Sequence, residues 1–256
     1  MCGVGDFMRR WLVVFVVVLT LAVLGGANLW WRHIPVLSDA VLNHLHFGIA
    51  SAGLRLVAAL ALTWLLTRKG LRFLGFAENP ATALVFAIIA TMPLWVPLLA
   101  FSHVAPNLDA TDLLMGSGYF PLSEELFCRA FAFGLLYRVA GIGFWPSAVL
   151  SSVPFALGHL YQAHDMGSAA ATLAITFLGA LLLCWLYLRW NWNIWVPFAL
   201  HALMNLWWSV FNVGEGAFAG WLPTAMQLGS AAAAIVLTLV WQPFHPEPSQ
   251  APETAS

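Results

Sequence analysis

Long, continuously apolar runs alternate with short polar stretches along the 256-residue chain. A bilayer's hydrocarbon core takes about 20 apolar residues as a helix. Eight runs approach or meet that length: about 11–30, 47–67, 81–101, 118–138, 144–160, 169–188, 192–212 and 224–242. They are unbroken rather than alternating, which predicts helices and not the strands of a barrel. The fifth is short and carries serines. The expected fold is all-α, a polytopic transmembrane helical bundle of about eight spans. No internal repeat interrupts it, so residues 1–242 read as a single integral membrane domain. The stretch 243–256 is rich in Pro, Ser and Glu and is expected to be a disordered cytoplasmic tail.

Composition supports lipid as the main solvent. The chain is 61% hydrophobic and 8% charged, whereas a soluble domain carries about 25% charged residues. A net charge of -1 gives no reason to expect a nucleic-acid partner. Cytoplasmic loops of membrane proteins gather Lys and Arg. With the N-terminus inside, Arg9, Arg10, Arg68, Lys69, Arg72, Arg138 and Arg189 fall on the inner side and only Arg32 on the outer. This asymmetry predicts both termini in the cytoplasm; the expected membrane is the bacterial inner (cell) membrane. Trp30, Trp31, Trp145, Trp190, Trp192, Trp221 and Trp241 stand at predicted span ends, where an amphipathic ring suits the headgroup layer. Cys2, Cys128 and Cys184 form no metal or disulfide spacing. The latter two lie in apolar runs and read as small buried hydrophobes.

Against this background, ionisable groups inside the spans stand out, because charge at membrane depth is costly. In Ser123-Glu124-Glu125-Leu126-Phe127-Cys128-Arg129, Glu125 and Arg129 are four apart and share a helical face. They can pair and neutralise one another. Glu124 lies about 100° around the helix and is left without that partner. An unpaired carboxylate in an apolar site makes a good general base or acid. Phe155 and His159 are again four apart, with Gly158 allowing close approach of another helix. His201 and Asn205 repeat the spacing and place two hydrogen-bonding side chains on one face. Arg55 lies within the second span and either snorkels or pairs with a carboxylate that spacing does not name.

At these residues the sequence resembles the CPBP family, the type II CAAX prenyl proteases and their bacterial relatives. That family carries Glu-Glu-x-x-x-Arg, Phe-x-x-x-His and His-x-x-x-Asn on successive membrane helices. Glu124-Glu125…Arg129, Phe155…His159 and His201…Asn205 match in order and spacing. The resemblance covers about 80–212, with Cys128 and Ala130 where the family often has an aromatic residue and glycine. It implies an intramembrane endopeptidase. Glu124 and His159 would activate water, and His201 and Asn205 would stabilise the oxyanion. Glu125 and Arg129 would support the site. No cofactor is expected, with zinc on Glu124, His159 and His201 as the alternative. The chain has no HExxH pair to give the usual helical zinc face.

The expected partners are the bilayer and a membrane-anchored or exported protein substrate. Two other classes are a non-catalytic scaffold or immunity protein of the same fold and a proton-coupled transporter. The transporter predicts inverted repeats, which the chain lacks. The scaffold would be favoured by loss of a motif residue, and none is lost. The charge asymmetry places Glu124 and His159 in the outer half of the bilayer. A cysteine-accessibility scan is expected to label the 161–168 loop from outside; labelling from the cytoplasm alone contradicts this topology.

Overall fold

A computed structural model describes residues 4–25, 44–214 and 216–241. All regular structure among them is helical. Helix α1 spans Val4–Thr20 and runs on as a π turn, Leu21–Gly25. Then come α2 (His44–Thr67), α3 (Pro80–Ala90) and α4 (Met92–Phe101). Residues 110–138 form one continuous helical run, α5, in which α and π segments alternate. It is followed by α6 (Phe144–Gly158), α7 (Met166–Arg189), α8 (Trp195–Val210) and α9 (Trp221–Trp241). The all-α membrane bundle expected from the apolar runs is what forms. The proposed tail lies outside the described residues, as do Trp30 and Trp31.

The count of eight spans is not confirmed. Among the described residues, four helices are long and apolar enough to cross a membrane, beginning at Gly5, Gly48, Met166 and Trp221. A fifth is added if α3 and α4, bent by 54° at their junction, count as one. The remaining runs are helical but fall short for physical reasons. Helices α6 and α8 have only 15 and 16 residues. The α5 run carries Asp112, Glu124, Glu125, Arg129 and Arg138.

The α3–α4 bend has a local cause. Pro93 has no N–H to continue the ladder, and the Thr91 hydroxyl donates to Ala87 O at 2.8 Å. The indole Nε1 of Trp207 on α8 donates to the same hydroxyl at 3.3 Å. The bend therefore fixes α8 two residues past Asn205.

The core is organised around one segment, Glu125–Phe133 of α5, whose nine residues are all buried. Helices α2, α6 and α7 pack around it. Val13, Val17 and Leu21 of α1 join its apolar residues in one cluster. Free Cys128 and Cys184 are buried, as their apolar context predicts. Gly158 is closely approached, with the Gly25 carbonyl 3.7 Å from where a Cβ would stand.

One end of the bundle gathers the basic residues assigned to a single side. Arg10 packs on Gly141. Arg138 donates to Phe73 O at 2.7 Å and stacks on Phe73 and Trp192 at 4.0 and 4.6 Å. Trp192 is thereby half-buried, and Trp190 is 6% exposed with its Nε1 donating to Thr238. Trp190 differs from the interfacial role expected of it, because partners from other helices cover its ring. Trp145 and Trp221 are exposed, as that role requires.

At the other end, exposed Asp109 and Asp165 cap the starts of α5 and α7. Backbone N–H donation, chiefly from Asp112 and Ser168 respectively, holds each carboxyl below the usual carboxylate range. Each cap fixes where a helix begins beside a site-bearing segment.

Gly75 joins α2's exit to the α7–α8 corner. It has φ +84°, and a Cβ there would collide with the Trp192 carbonyl. Gly143 has φ +86° but nothing near its missing Cβ. With ψ at 169° as well, Gly143 sits in a region essentially reserved for glycine, and Gly143→Ala is expected to cost about 1–3 kcal/mol of backbone strain. Gly75→Ala adds a further ~1–3 kcal/mol of overpacking. Thermal unfolding of the two detergent-solubilised variants checks this, and equal stability would contradict it.

Candidate active site

The motif residues come together where α5, α6 and α8 meet. Each is placed by a local feature of the backbone.

Glu125 and Arg129 form the expected pair. Arg129 Nη1 lies 3.1 Å from Glu125 Oε1, and both side chains are fully buried. The approach is electrostatic rather than an aligned hydrogen bond, since the guanidinium N–H vectors point elsewhere. The face of Phe155 covers Arg129, with the ring centroid 4.4 Å from Cζ. Such a desolvated cation–π contact is worth about 2 kcal/mol.

The same Glu125 oxygen accepts a hydrogen bond from His201 Nδ1 at 2.8 Å. This bond puts a proton on Nδ1 and fixes the ring's orientation. It turns Nε2 towards Glu124, whose Oε2 is 3.9 Å away. Glu124 therefore lacks the arginine, as helical spacing predicts, but faces a histidine across the site. Its side chain is 18% exposed, against 0% for Glu125. Of the two carboxylates, Glu124 is the one that solvent or substrate can reach.

His159 sits at the C-terminal end of α6. Its backbone N–H turns back to Ala156 O at 3.1 Å instead of continuing the regular ladder. This frees the Phe155 carbonyl, one of the orphan acceptors that every helix end leaves. His159 Nδ1 donates to it at 2.7 Å. In the neutral ring, Nε2 is then the lone-pair nitrogen. The Phe155 ring lies against His159 at a 45° tilt, centroids 4.5 Å apart, so Phe155 touches both the arginine and the histidine. The Phe155 ring also meets the His201 ring edge-on, centroids 6.2 Å apart, which sets the end of α6 beside α8 at the site.

Asn205 is held by a register shift in α5. Met115–Tyr119 is a π segment in which the Phe120 N–H reaches Met115 O. In that register Gly116 O would take its bond from residue 121, which is proline and has no N–H. The carbonyl is left free, and Asn205 Nδ2 donates to it at 3.0 Å. One amide proton of Asn205 remains available. Sequence reasoning missed Gly116; the signal was a proline five residues after a glycine. It also missed Ser123, whose hydroxyl donates to Ala52 O at 3.0 Å and pins Glu124's turn to α2.

His201 and Asn205 share a face, as their spacing predicts; that face meets α5, where each has its own partner. Among the described residues, no three His, Cys, Asp or Glu side chains are placed to hold a metal ion. Glu124, His159 and His201 as arranged do not make the three-donor set a catalytic zinc requires.

Fold and site together define an integral membrane protein with a buried acid–histidine centre, in which one carboxylate is neutralised and another left open. A family model described as "Type II CAAX prenyl endopeptidase Rce1-like" matches residues 106–207. That stretch holds every motif residue named above and bears out the resemblance to the CPBP and CAAX protease family. The family implies intramembrane endopeptidase activity in general terms. No curated protein matches the chain.

Removing one member of a buried ion pair strands the other charge. Arg129→Leu or Glu125→Leu alone is expected to cost about 3–5 kcal/mol, and the double substitution much less. Thermal unfolding of the three purified variants reads this. A double variant as unstable as the sum of the singles would contradict it.

Proposed function

We propose that the chain hydrolyses a peptide bond of a membrane-anchored or exported protein, using water activated by Glu124 and His159. Glu124 accepts a proton from water, and the resulting hydroxide attacks the scissile carbonyl carbon. His159, with Nδ1 committed to Phe155 O, presents Nε2 to the same water or carries its proton onward. His201 Nε2 and the spare amide proton of Asn205 face the oxygen on which charge develops. Donors aimed at that oxyanion commonly supply the largest catalytic contribution. With Nδ1 already donating to Glu125, His201 donates through Nε2 only as the imidazolium. Collapse of the intermediate breaks the C–N bond. The proton held by Glu124 or His159 goes to the leaving amine.

The observation that carries this reading is the division of labour between the two carboxylates. Glu125 is spent on Arg129 and His201 Nδ1, while Glu124 stays open to the site at 3.9 Å from His201 Nε2. A metal-free reaction is our reading, supported by a donor set that offers no three-ligand cluster among the described residues. Chelators are therefore expected to leave the rate unchanged. We place both termini in the cytoplasm of a bacterial inner membrane and the site in the outer half of the bilayer. The support is that Arg10, Arg138 and their neighbours gather at the end away from Glu124 and His159.

Glu124→Gln keeps the shape and removes the base, a change worth about 10²–10⁴-fold in rate for a general base. Cells expressing wild type and Glu124→Gln are compared for protein termini in membrane and secreted fractions. A small set of termini is expected to vanish with the variant. Identical termini from two folded, equally abundant proteins would instead favour a non-catalytic scaffold.

A further inference from the structure

A protein substrate must bring its scissile peptide within hydrogen-bonding reach of Glu124, about 3 Å. The side chains of Glu124 and His201 are only 18% and 14% exposed. A chain segment cannot lie against both until part of the surrounding wall moves. Helices α6 and α8 form that wall on one side, but each packs mainly on other partners. Helix α6 rests on α7 and on Glu125–Phe133, and α8 rests on α3 and on Met115–Tyr119. At the depth of the site the two meet through the rings of Phe155 and His201.

A second contact closes this seam just past the site. The loop that leaves α8 after Val210 turns back towards α6. Trp208 Nε1 donates to Gly214 O at 3.0 Å and holds the start of the loop. Further on, the loop docks on Gln162, whose Oε1 accepts from the Ala217 N–H at 3.0 Å. Gly216 comes so near that a Cβ there would stand 3.0 Å from Gln162 Cβ and 3.3 Å from the Gln162 carbonyl oxygen. Gln162 belongs to the 3₁₀ turn that follows His159, and its own N–H donates to His159 O at 3.0 Å. The loop thus bridges the ends of the two helices that carry His159, His201 and Asn205, within one turn of His159.

We propose that Gln162 and residues 216–217 form a latch on the α6–α8 seam, released when a segment of a membrane protein enters the site sideways from the bilayer. This rests on the reading of the site as the place where Glu124 activates water. A hydrogen bond and a glycine contact hold the latch, so it opens at small cost while the helices beneath keep their packing. Opening there uncovers His159 and His201 together, the two side chains between which the scissile peptide must lie. Closing again shuts the reacting groups away from bulk solvent.

The test uses the full-length protein in proteoliposomes, carrying Gln162→Cys with Gly216→Cys and with Cys2→Ser. The 3.0 Å between the two Cβ positions is near the ~3.8 Å that a disulfide spans, and native Cys128 and Cys184 are buried. Diethyl pyrocarbonate, a small histidine reagent, reports access to His201 by peptide mass spectrometry, with exposed His103 as the internal control. Host membrane proteins supplied to the same proteoliposomes report cleavage through their termini. Oxidation to the 162–216 disulfide is expected to protect His201 and to abolish the Glu124-dependent termini, and reduction to restore both. Gln162→Ala alone removes the acceptor of the latch and is expected to speed His201 modification about two- to tenfold, the worth of one hydrogen bond. It decides the matter should the double variant fail to fold. Equal modification of His201 in the oxidised and reduced protein, or none faster in Gln162→Ala, would overturn the proposal. Protection of His201 without any Glu124-dependent termini leaves the latch standing and removes the protease reading. Glu124-dependent termini that persist under the disulfide do the reverse.

Discussion

The fully buried pair of Glu125 and Arg129 is the constraint from which the rest of the site follows. Neither charge is tolerable alone at membrane depth, so each must keep the other, and their helix segment must stay enclosed. Helices α2, α6 and α7 supply that enclosure, and the Phe155 face covers the guanidinium. Once the pair is fixed, the shared Glu125 oxygen sets the orientation of His201 on α8. The ring can then offer only Nε2 to the open site. A structural ion pair thereby becomes the positioning device for a side chain on another helix.

Backbone irregularity does the remaining positioning. Helices leave orphan carbonyls wherever their hydrogen-bond register changes or ends. Two such carbonyls, Gly116 O in a π turn and Phe155 O at a helix end, receive Asn205 and His159. Both polar side chains are held without the cost of an extra buried charge. π turns recur at functional sites, and here they bracket Glu124, which lies between the segments Met115–Tyr119 and Glu125–Phe133.

The sequence made the chemical membership of this site legible because polar residues stand out in an apolar chain. Spacing of four was enough to pair Glu125 with Arg129, and to leave Glu124 without that arginine. It also put His201 and Asn205 on one face. Spacing did not reveal that His201 bonds Glu125 across helices, since that depends on tertiary packing rather than on a local period. Nor did it show the π register, which arises from where Pro121 removes a donor. Hydropathy located the apolar runs, but eight spans are not confirmed, because α6 and α8 stop at 15 and 16 residues. Tryptophan position at a span end was ambiguous for the same reason. Trp190 and Trp145 look alike in sequence, yet one is packed and the other exposed.

The central claim is that this protein makes water the nucleophile at a peptide bond. It is tested most directly with purified protein in proteoliposomes, supplied with membrane proteins from its own host in heavy-oxygen water. The account predicts new protein C-termini carrying solvent oxygen with the wild type and none with Glu124→Gln. A folded, membrane-inserted wild type that yields no solvent-labelled termini would contradict it.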